Sequence, residues 1–448
     1  MAGHPRLPPC RSRPSARWGR GAPRRPGEGD MAESAGQPGD SGVRGDRSGP
    51  GVAPPSGATA VGRRRRLPWK ARSDLTAHQL KRRKLATRGA LAVCLLCVGA
   101  VGYSVGEALT YPGDDSTAAR LAGWAREHEL GVVVDKLENL HYELDPPQVG
   151  GSLPSAALAR MRATAPPVPV HHQNVPLRAP MRPLVSPALP GEGVWRVLSA
   201  AHGDPVVQGT YVRPDADHTS YQAAIAWISG RKARFELHPG VREPGGSFSV
   251  PPNVPEGSRT GLLATWNGGF KVTDGGSRGG FYLDGETAGQ LRDGAASEVF
   301  YRDGSIRIGQ WGRDMSMTRD VVGVRQCLDL MVDGGKVVPD IDVDSKWGAT
   351  DQSRMFVERS GVGVTAQGDV IMVVGQALTA RTLAELMQQA GAVRAMPLDM
   401  NRAWPSFMSY DPTKNPANPT PTNILDFDNP PERYYNQATR DFVAVYAK

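Results

Sequence analysis

From residue 191 onward, short apolar runs alternate with polar turns, the period of strands half buried against a core. The runs Val194-Trp195-Arg196-Val197-Leu198, Tyr221-Gln222-Ala223-Ala224-Ile225-Ala226-Trp227-Ile228 and Leu262-Leu263-Ala264-Thr265-Trp266 each have strand length and spacing. Between apolar stretches fall Asp284-Gly285, Asp303-Gly304 and Asp333-Gly334, residue pairs suited to the left-handed backbone of a hairpin turn. Phe281-Tyr282-Leu283 and Ile306-Arg307-Ile308 are their flanking strands. One long stretch has helical period instead: Thr382, Leu383, Leu386, Met387 and Ala390, closed by Gly391. Residues 370–374 and 393–398 are read as its neighbouring strands, and 442–446 as the last strand. The pattern predicts an α+β fold: a strand-rich mixed-sheet domain with few helices over residues 191–448.

Upstream the texture is different. Residues 89–106 carry no charge, close to the minimum for crossing ~30 Å of hydrocarbon as a helix. Extended through residue 110, they predict a single transmembrane helix ahead of the domain. Lys81-Arg82-Arg83-Lys84 and Arg88 precede the span, and Asp114 and Asp115 follow it. The positive-inside rule then puts the N-terminus in the cytoplasm and the C-terminal domain outside, a single-pass cell-membrane protein. A cleaved signal peptide is the alternative, but the long basic region and the lack of a small-x-small site favour a retained anchor.

Charge sharpens this division. Residues 1–90 hold 20 Lys/Arg against 6 Asp/Glu, and the remainder holds 33 against 39. A basic tail on a mildly acidic body fits a membrane-adjacent segment and argues against a nucleic-acid partner, despite the run of four arginines at 63–66. Residues 1–88, rich in Pro, Gly, Arg and Ser, read as a disordered tail, with Met31 an alternative start. After the span, 111–144 read as a juxtamembrane helical segment capped by Asp114-Asp115-Ser116 and ending near Gly131. Residues 145–190 read as a Pro-rich linker that stands the domain off the membrane, with His171-His172 solvated within it. Of the four cysteines only Cys327 lies in the domain, in the apolar run Cys327-Leu328-Asp329-Leu330-Met331-Val332, a setting for a buried thiol.

Candidate chemistry is narrowed by what the domain lacks. No histidine follows His238, and HExxH and Walker patterns are absent from the sequence. Carboxylates, amides, Arg and backbone dipoles remain. Asn267-Gly268-Gly269-Phe270 ends a strand in a tight turn whose N–H groups can face an anion, or in an ordinary hairpin. Arg359-Ser360, before Gly361-Val362-Gly363, offers a guanidinium for phosphate, or a surface Arg beside a strand. Asp399 ends a strand as a carboxylate for glycoside cleavage, or as a loop cap; Arg402 and Trp404 follow as a phosphate contact and a sugar-stacking face. Glu298 and Glu358 are candidates for a second carboxylate. Asp340, Asp342, Asp344 and Asp351 have the spacing of a calcium loop, but Ser345 replaces its glycine. Ile341 and Val343 favour a strand with solvent-facing carboxylates, and no metal or other cofactor is assigned.

The order of these segments resembles the phosphodiester glycosidase family, which includes N-acetylglucosamine-1-phosphodiester alpha-N-acetylglucosaminidase. The family shows an Asn-Gly-Gly-Phe-type turn, a strand entered through Arg-Thr, and a helix leading to Leu-Asp-Gly-Gly-Gly-Ser. Here these look like residues 267–270, 359–363 and 382–399, within a resemblance spanning residues 190–448. The resemblance implies a divergent, membrane-anchored bacterial member, with Asn267, Arg359 and Asp399 lining one cavity as catalytic residues. Gly268, Gly269, Ser360, Arg402 and Trp404 would bind substrate. After Asp399 the chain departs from the pattern, reading Met400-Asn401-Arg402-Ala403-Trp404-Pro405 where the family has glycines. The expected activity is hydrolysis of a sugar-phosphodiester linkage in an envelope glycan, with a sugar-phosphate or glycan as partner. A non-catalytic envelope-glycan binding module on the same fold is the alternative, and a scaffold recruiting a partner through its basic tail is a third reading.

Overall fold

Alternation becomes strand pairing across most of residues 196–447 of the computed structural model, which describes residues 77–163, 175–273, 276–343, 346–348 and 356–448. The basic tail up to residue 76, His171-His172, Asp344 and Asp351 lie outside the described residues. Among those described, the strands form three sheets. The first has eight strands, in the order Arg196–Ala201, Asp204–Val212, Ala223–Ile228, Val370–Leu378, Val357–Val364, Arg394–Met400, Val332–Asp333 and Lys336–Val337. A five-stranded sheet is built from Glu286–Ala288, Gly280–Leu283, Val321–Gln326, Ala296–Tyr301 and Ile306–Gln310. The other is ordered Thr420–Asn423, Phe407–Asp411, Leu262–Asn267, Phe442–Ala447 and Ala233–His238.

The strand-rich α+β class holds, but the sheets are antiparallel rather than mixed. The reason lies in one crossover. Val370–Leu378 and Arg394–Met400 run in the same direction, joined by a helix, yet Val357–Val364 lies between them and pairs antiparallel with both. The helix itself spans Ala380–Gln389, close to the periodic stretch. Thr379 and Thr382 cap its N-terminus reciprocally, and Gly391 leaves it with φ +103°. All three Asp-Gly pairs sit at hairpin tips, with Gly285, Gly304 and Gly334 at positive φ.

Helix α1 (Ala77–Thr110) begins earlier than the uncharged stretch and is long and apolar enough to cross a membrane. The juxtamembrane segment is two helices, not one: α2 (Thr117–Glu127), capped by Ser116, and α3 (Gly131–Leu144). A fourth, α4 (Ser155–Arg162), lies in the expected spacer. The stand-off reading is corrected here. Leu153, Ala157 and Met161 are buried in the main core, and Val175 and Met181 in a second cluster. Arg196 fastens the end of α4 through Nη2 to the Met161 carbonyl at 2.6 Å. A Cβ at Gly191 would lie 2.2 Å from that same oxygen, so the end of α4 packs tightly against the start of the domain. Proline content marked the absence of long elements, not the absence of packing.

Candidate active site

Strand ends from two sheets meet at one edge of the domain. Asn267 closes Leu262–Asn267, Ser360 lies in Val357–Val364, and Asp399 is next to last in Arg394–Met400. Ser360 joins them. Its Oγ donates to the Asp399 carbonyl at 3.0 Å and accepts from the Asp399 N–H at 3.2 Å and from Asn267 Nδ2 at 3.0 Å. The other end of the Asn267 amide accepts from the Ser406 N–H at 2.9 Å. The amide is thereby committed to tying strands together.

The Asp399 carboxylate faces a cleft of about 390 Å³. Its Oδ1 accepts from the Met400 N–H at 2.8 Å, and its Oδ2 accepts from Arg440 Nη1. Burial pushes this carboxyl above its ordinary range, and the Arg440 guanidinium opposes the rise. Arg440 in turn lies flat on Trp404, 3.5 Å from the ring centroid. Lys271 also lines the cleft, and burial beside Arg440 pushes its ammonium below the usual lysine range. The opposite wall comes from outside the sheets: Arg126 and Glu127 of α2, and Gly131, Asp135 and Glu138 of α3. Glu127 pairs with Arg242 at 2.5 Å and Lys271 at 3.4 Å, while Arg126 holds Asp135 and Glu138 at 3.0 and 2.9 Å.

The expected residues therefore separate into groups. Asp399 and Trp404 line the cleft. Asn267 and Ser360 stand behind Asp399 rather than beside it. Arg359 is not among the lining residues: its Nε reaches the Leu378 carbonyl at 2.9 Å and its Nη1 the Trp347 carbonyl at 3.2 Å. Strand alternation accounts for this, because Ser360 points toward Asp399 and Arg359 must point the other way. Arg402 faces outward, more than half exposed, on Asp428 at 2.6 Å.

Gly268 and Gly269 are packing devices. A Cβ at Gly268 would lie 1.9 Å from Asp441 Oδ2, and one at Gly269 would lie 2.7 Å from Cys327 Cβ. Asp441 is itself half of a buried pair with Arg325, Oδ2 to Nε at 2.7 Å. Cys327 is buried as expected, donates to the Leu398 carbonyl at 3.3 Å, and is pushed up to about 12 by burial.

Neither candidate second carboxylate lines the cleft. Glu298 is fully buried, with Trp266 Nε1 at 3.3 Å from Oε1, and burial pushes it up to about 8. Glu358 is largely covered, and burial pushes its carboxyl up while Arg402 opposes the rise. Asp340 pairs with Lys346 and Asp342 with Arg381, in turns rather than the expected strand. Among the described residues, no group of three or more His, Cys, Asp or Glu side chains gathers to hold a metal ion.

Sequence reading missed Arg440, Lys271 and the α2–α3 wall. Arg440 is far from Asp399 in sequence, and only the pairing of Phe442–Ala447 with Leu262–Asn267 carries it to the site. The substituted loop after Asp399 is accommodated by Asn401, whose φ of +64° supplies the left-handed turn a glycine would otherwise make.

Residues 260–399, which include Asn267, Ser360 and Asp399, match the phosphodiester glycosidase family model. No curated protein matches the chain. Among solved structures, the zebrafish N-acetylglucosamine-1-phosphodiester alpha-N-acetylglucosaminidase catalytic domain, auto-inhibited by pro-peptide, is similar at 14% identity and TM-score 0.38. The match covers 57% of this chain and 87% of that one. A hypothetical protein from Synechocystis is similar at 12% identity and TM-score 0.32, over 55% of this chain and 63% of that one.

Proposed function

We propose, for a chain that matches the phosphodiester glycosidase family over residues 260–399, that it is a hydrolase cleaving a sugar-phosphodiester linkage. In the reaction, the bond between the anomeric carbon and a phosphate oxygen breaks. Water supplies the hydroxyl of the free sugar, and the phosphate leaves as a monoester. The observation that carries this reading is the placement of Asp399, a buried carboxylate at a strand end facing a cleft that also holds Arg440, Lys271 and Trp404. Asp399 supplies the carboxylate chemistry. The phosphate role first read into Arg359 passes to Arg440 and Lys271, two cations that line the cleft. Trp404 offers an aromatic face to the sugar. Asn267 and Ser360 act as positioning residues, holding the Asp399 backbone through the Ser360 hydroxyl. A phosphate leaving group needs little protonation, so a single carboxylate at the reacting carbon suffices.

The same reading places the N-terminal tail in the cytoplasm and the domain outside, so that the substrate belongs to the cell envelope. It rests on the basic residues in the first turns of α1, ahead of its uncharged stretch, and the acidic ones after the helix.

One observation favours the binding-module alternative. Asp399 is already engaged by Arg440, which Trp404 covers, so the ion pair fills part of the reaction space. The test is to incubate the full-length chain in detergent with an N-acetylglucosamine 1-phosphodiester. Stoichiometric release of sugar and phosphomonoester is expected. Saturable binding without release, across a panel of sugar phosphodiesters, would replace the hydrolase reading with the binding module.

A further inference from the structure

The cleft shares a wall with the foot of the apolar helix. Arg120 of α2 donates through Nη1 to the Tyr111 carbonyl at 2.6 Å and through Nη2 to the Gly113 carbonyl at 2.6 Å, just beyond the end of α1. One turn later, Trp124 Nε1 donates to Ser104 Oγ at 2.9 Å, and His128 Nε2 lies 3.2 Å from the same oxygen. Helix α2 therefore runs back alongside α1. Its last turn sits level with Ser104, about 9 Å below the end of α1 at 1.5 Å per residue. Glu127, in that turn, lines the cleft.

Helix α3 starts at this depth and has two unlike faces. Val134, Asp135 and Glu138 face the domain and the cleft. Leu130, Val133, Leu137, Leu140 and Leu144 recur at three- and four-residue intervals, a single stripe, and all are exposed, Leu137 by 61% and Leu144 by 76%. Scattered exposed leucines need no explanation, but a periodic stripe beside a membrane-spanning helix does. Water is the wrong solvent for it. The occupant compatible with its depth is the bilayer into which α1 continues, with α3 lying in the interface.

We infer that α3 seats the cleft on the membrane surface and that the substrate is a lipid-anchored sugar phosphodiester. This rests on the hydrolase reading above for its second half only. One helix, ~10 Å across, separates the bilayer from Asp135 and Glu138 on the cleft wall. A sugar joined through phosphate to a membrane lipid spans that distance without leaving the interface. Lys271 and Arg440 neutralise the phosphate in the cleft, the anomeric C–O bond breaks with addition of water, and the phosphomonoester stays on the lipid.

The experiment uses the full-length chain in phosphatidylglycerol vesicles and has two readouts. First, a benzophenone amino acid replaces Leu137 and is irradiated. Adducts with lipid are expected; adducts with a second copy of the chain, or none, would overturn the interfacial placement. Second, hydrolysis is compared between an N-acetylglucosamine phosphodiester of a long-chain alcohol in the vesicles and the same head group on methanol. The long-chain substrate is expected to react at least about tenfold faster, and Leu137→Asp/Leu140→Asp to erase that preference while leaving the methyl substrate within about twofold. Equal rates on both substrates, or a preference the double variant leaves intact, would overturn the lipid-substrate assignment. If neither substrate reacts, it is the hydrolase reading that fails, and the lipid-substrate assignment with it; the crosslink result judges the placement of α3 separately.

Discussion

Asp399 and Arg440 form an ion pair inside the cleft, with Arg440 held between the carboxylate and the face of Trp404. Asp399 lies in the eight-stranded sheet, and Arg440 in the bend that leads into Phe442–Ala447 of another sheet. Their meeting depends on Asn267 being aligned with Phe442 across neighbouring strands. Burial raises the Asp399 carboxyl, and the Arg440 guanidinium holds it lower than burial alone would.

Removing that restraint has a signed consequence. In Arg440→Gln, the carboxyl of Asp399 rises further, so the acid limb of the kcat/KM profile moves to higher pH. Arg440→Lys, which keeps a cation, shifts it less. A pH–rate profile for the three proteins is the check, and an unmoved limb in Arg440→Gln would show that Arg440 does not govern the carboxylate.

Glu298 makes a second pH prediction, on stability. Its folded-state value of about 8 lies above the ordinary 4.5, because burial disfavours its charged form. Between these values the folded chain binds more protons than the unfolded chain, so stability is full below the lower value. It declines as pH rises toward about 8, by a few kcal/mol in all. Denaturant midpoints for wild type should fall across that window, and Glu298→Gln should flatten the fall.

Gly268→Ala tests the close approach to Asp441. The added methyl would meet the Asp441 carboxylate, which is locked to Arg325 and has no room to withdraw. A loss of about 1–3 kcal/mol in unfolding free energy is expected from such overpacking. Gly257→Ala, where the same methyl meets open space, is the control.

Arg402→Ala should do little. Its side chain is exposed on Asp428, and exposed pairs are worth about 0–1 kcal/mol. Steady-state kcat/KM within about twofold of wild type is expected, against a much larger loss for Arg440→Ala.

The contrast between Arg402 and Arg440 also marks what sequence can carry. Strand runs, hairpin tips and helix α5 (Ala380–Gln389) were legible because periodicity and Asp-Gly chemistry are local. Asp399 and Trp404 were legible because a strand end and the aromatic following it lie close along the chain. Arg440 was not, because its partnership is created by strand pairing between distant segments. The direction of Arg359 was not legible, because one residue's shift in a strand reverses the face, and nothing local says which of Arg359 and Ser360 points toward Asp399. The α2–α3 wall escaped for a third reason: apolar residues at 130–144 carry a helical stripe, yet its direction relative to the cleft depends on how α2 folds back along α1.

The most direct measurement is kcat on an N-acetylglucosamine 1-phosphodiester for the full-length chain and for Asp399→Asn, with thermal unfolding followed on both. The substitution keeps the shape of the side chain and removes its charge. A fall of about 10²–10⁴ in kcat with the fold retained is the predicted result. Equal turnover by a folded Asp399→Asn would contradict the assignment of the carboxylate chemistry to Asp399.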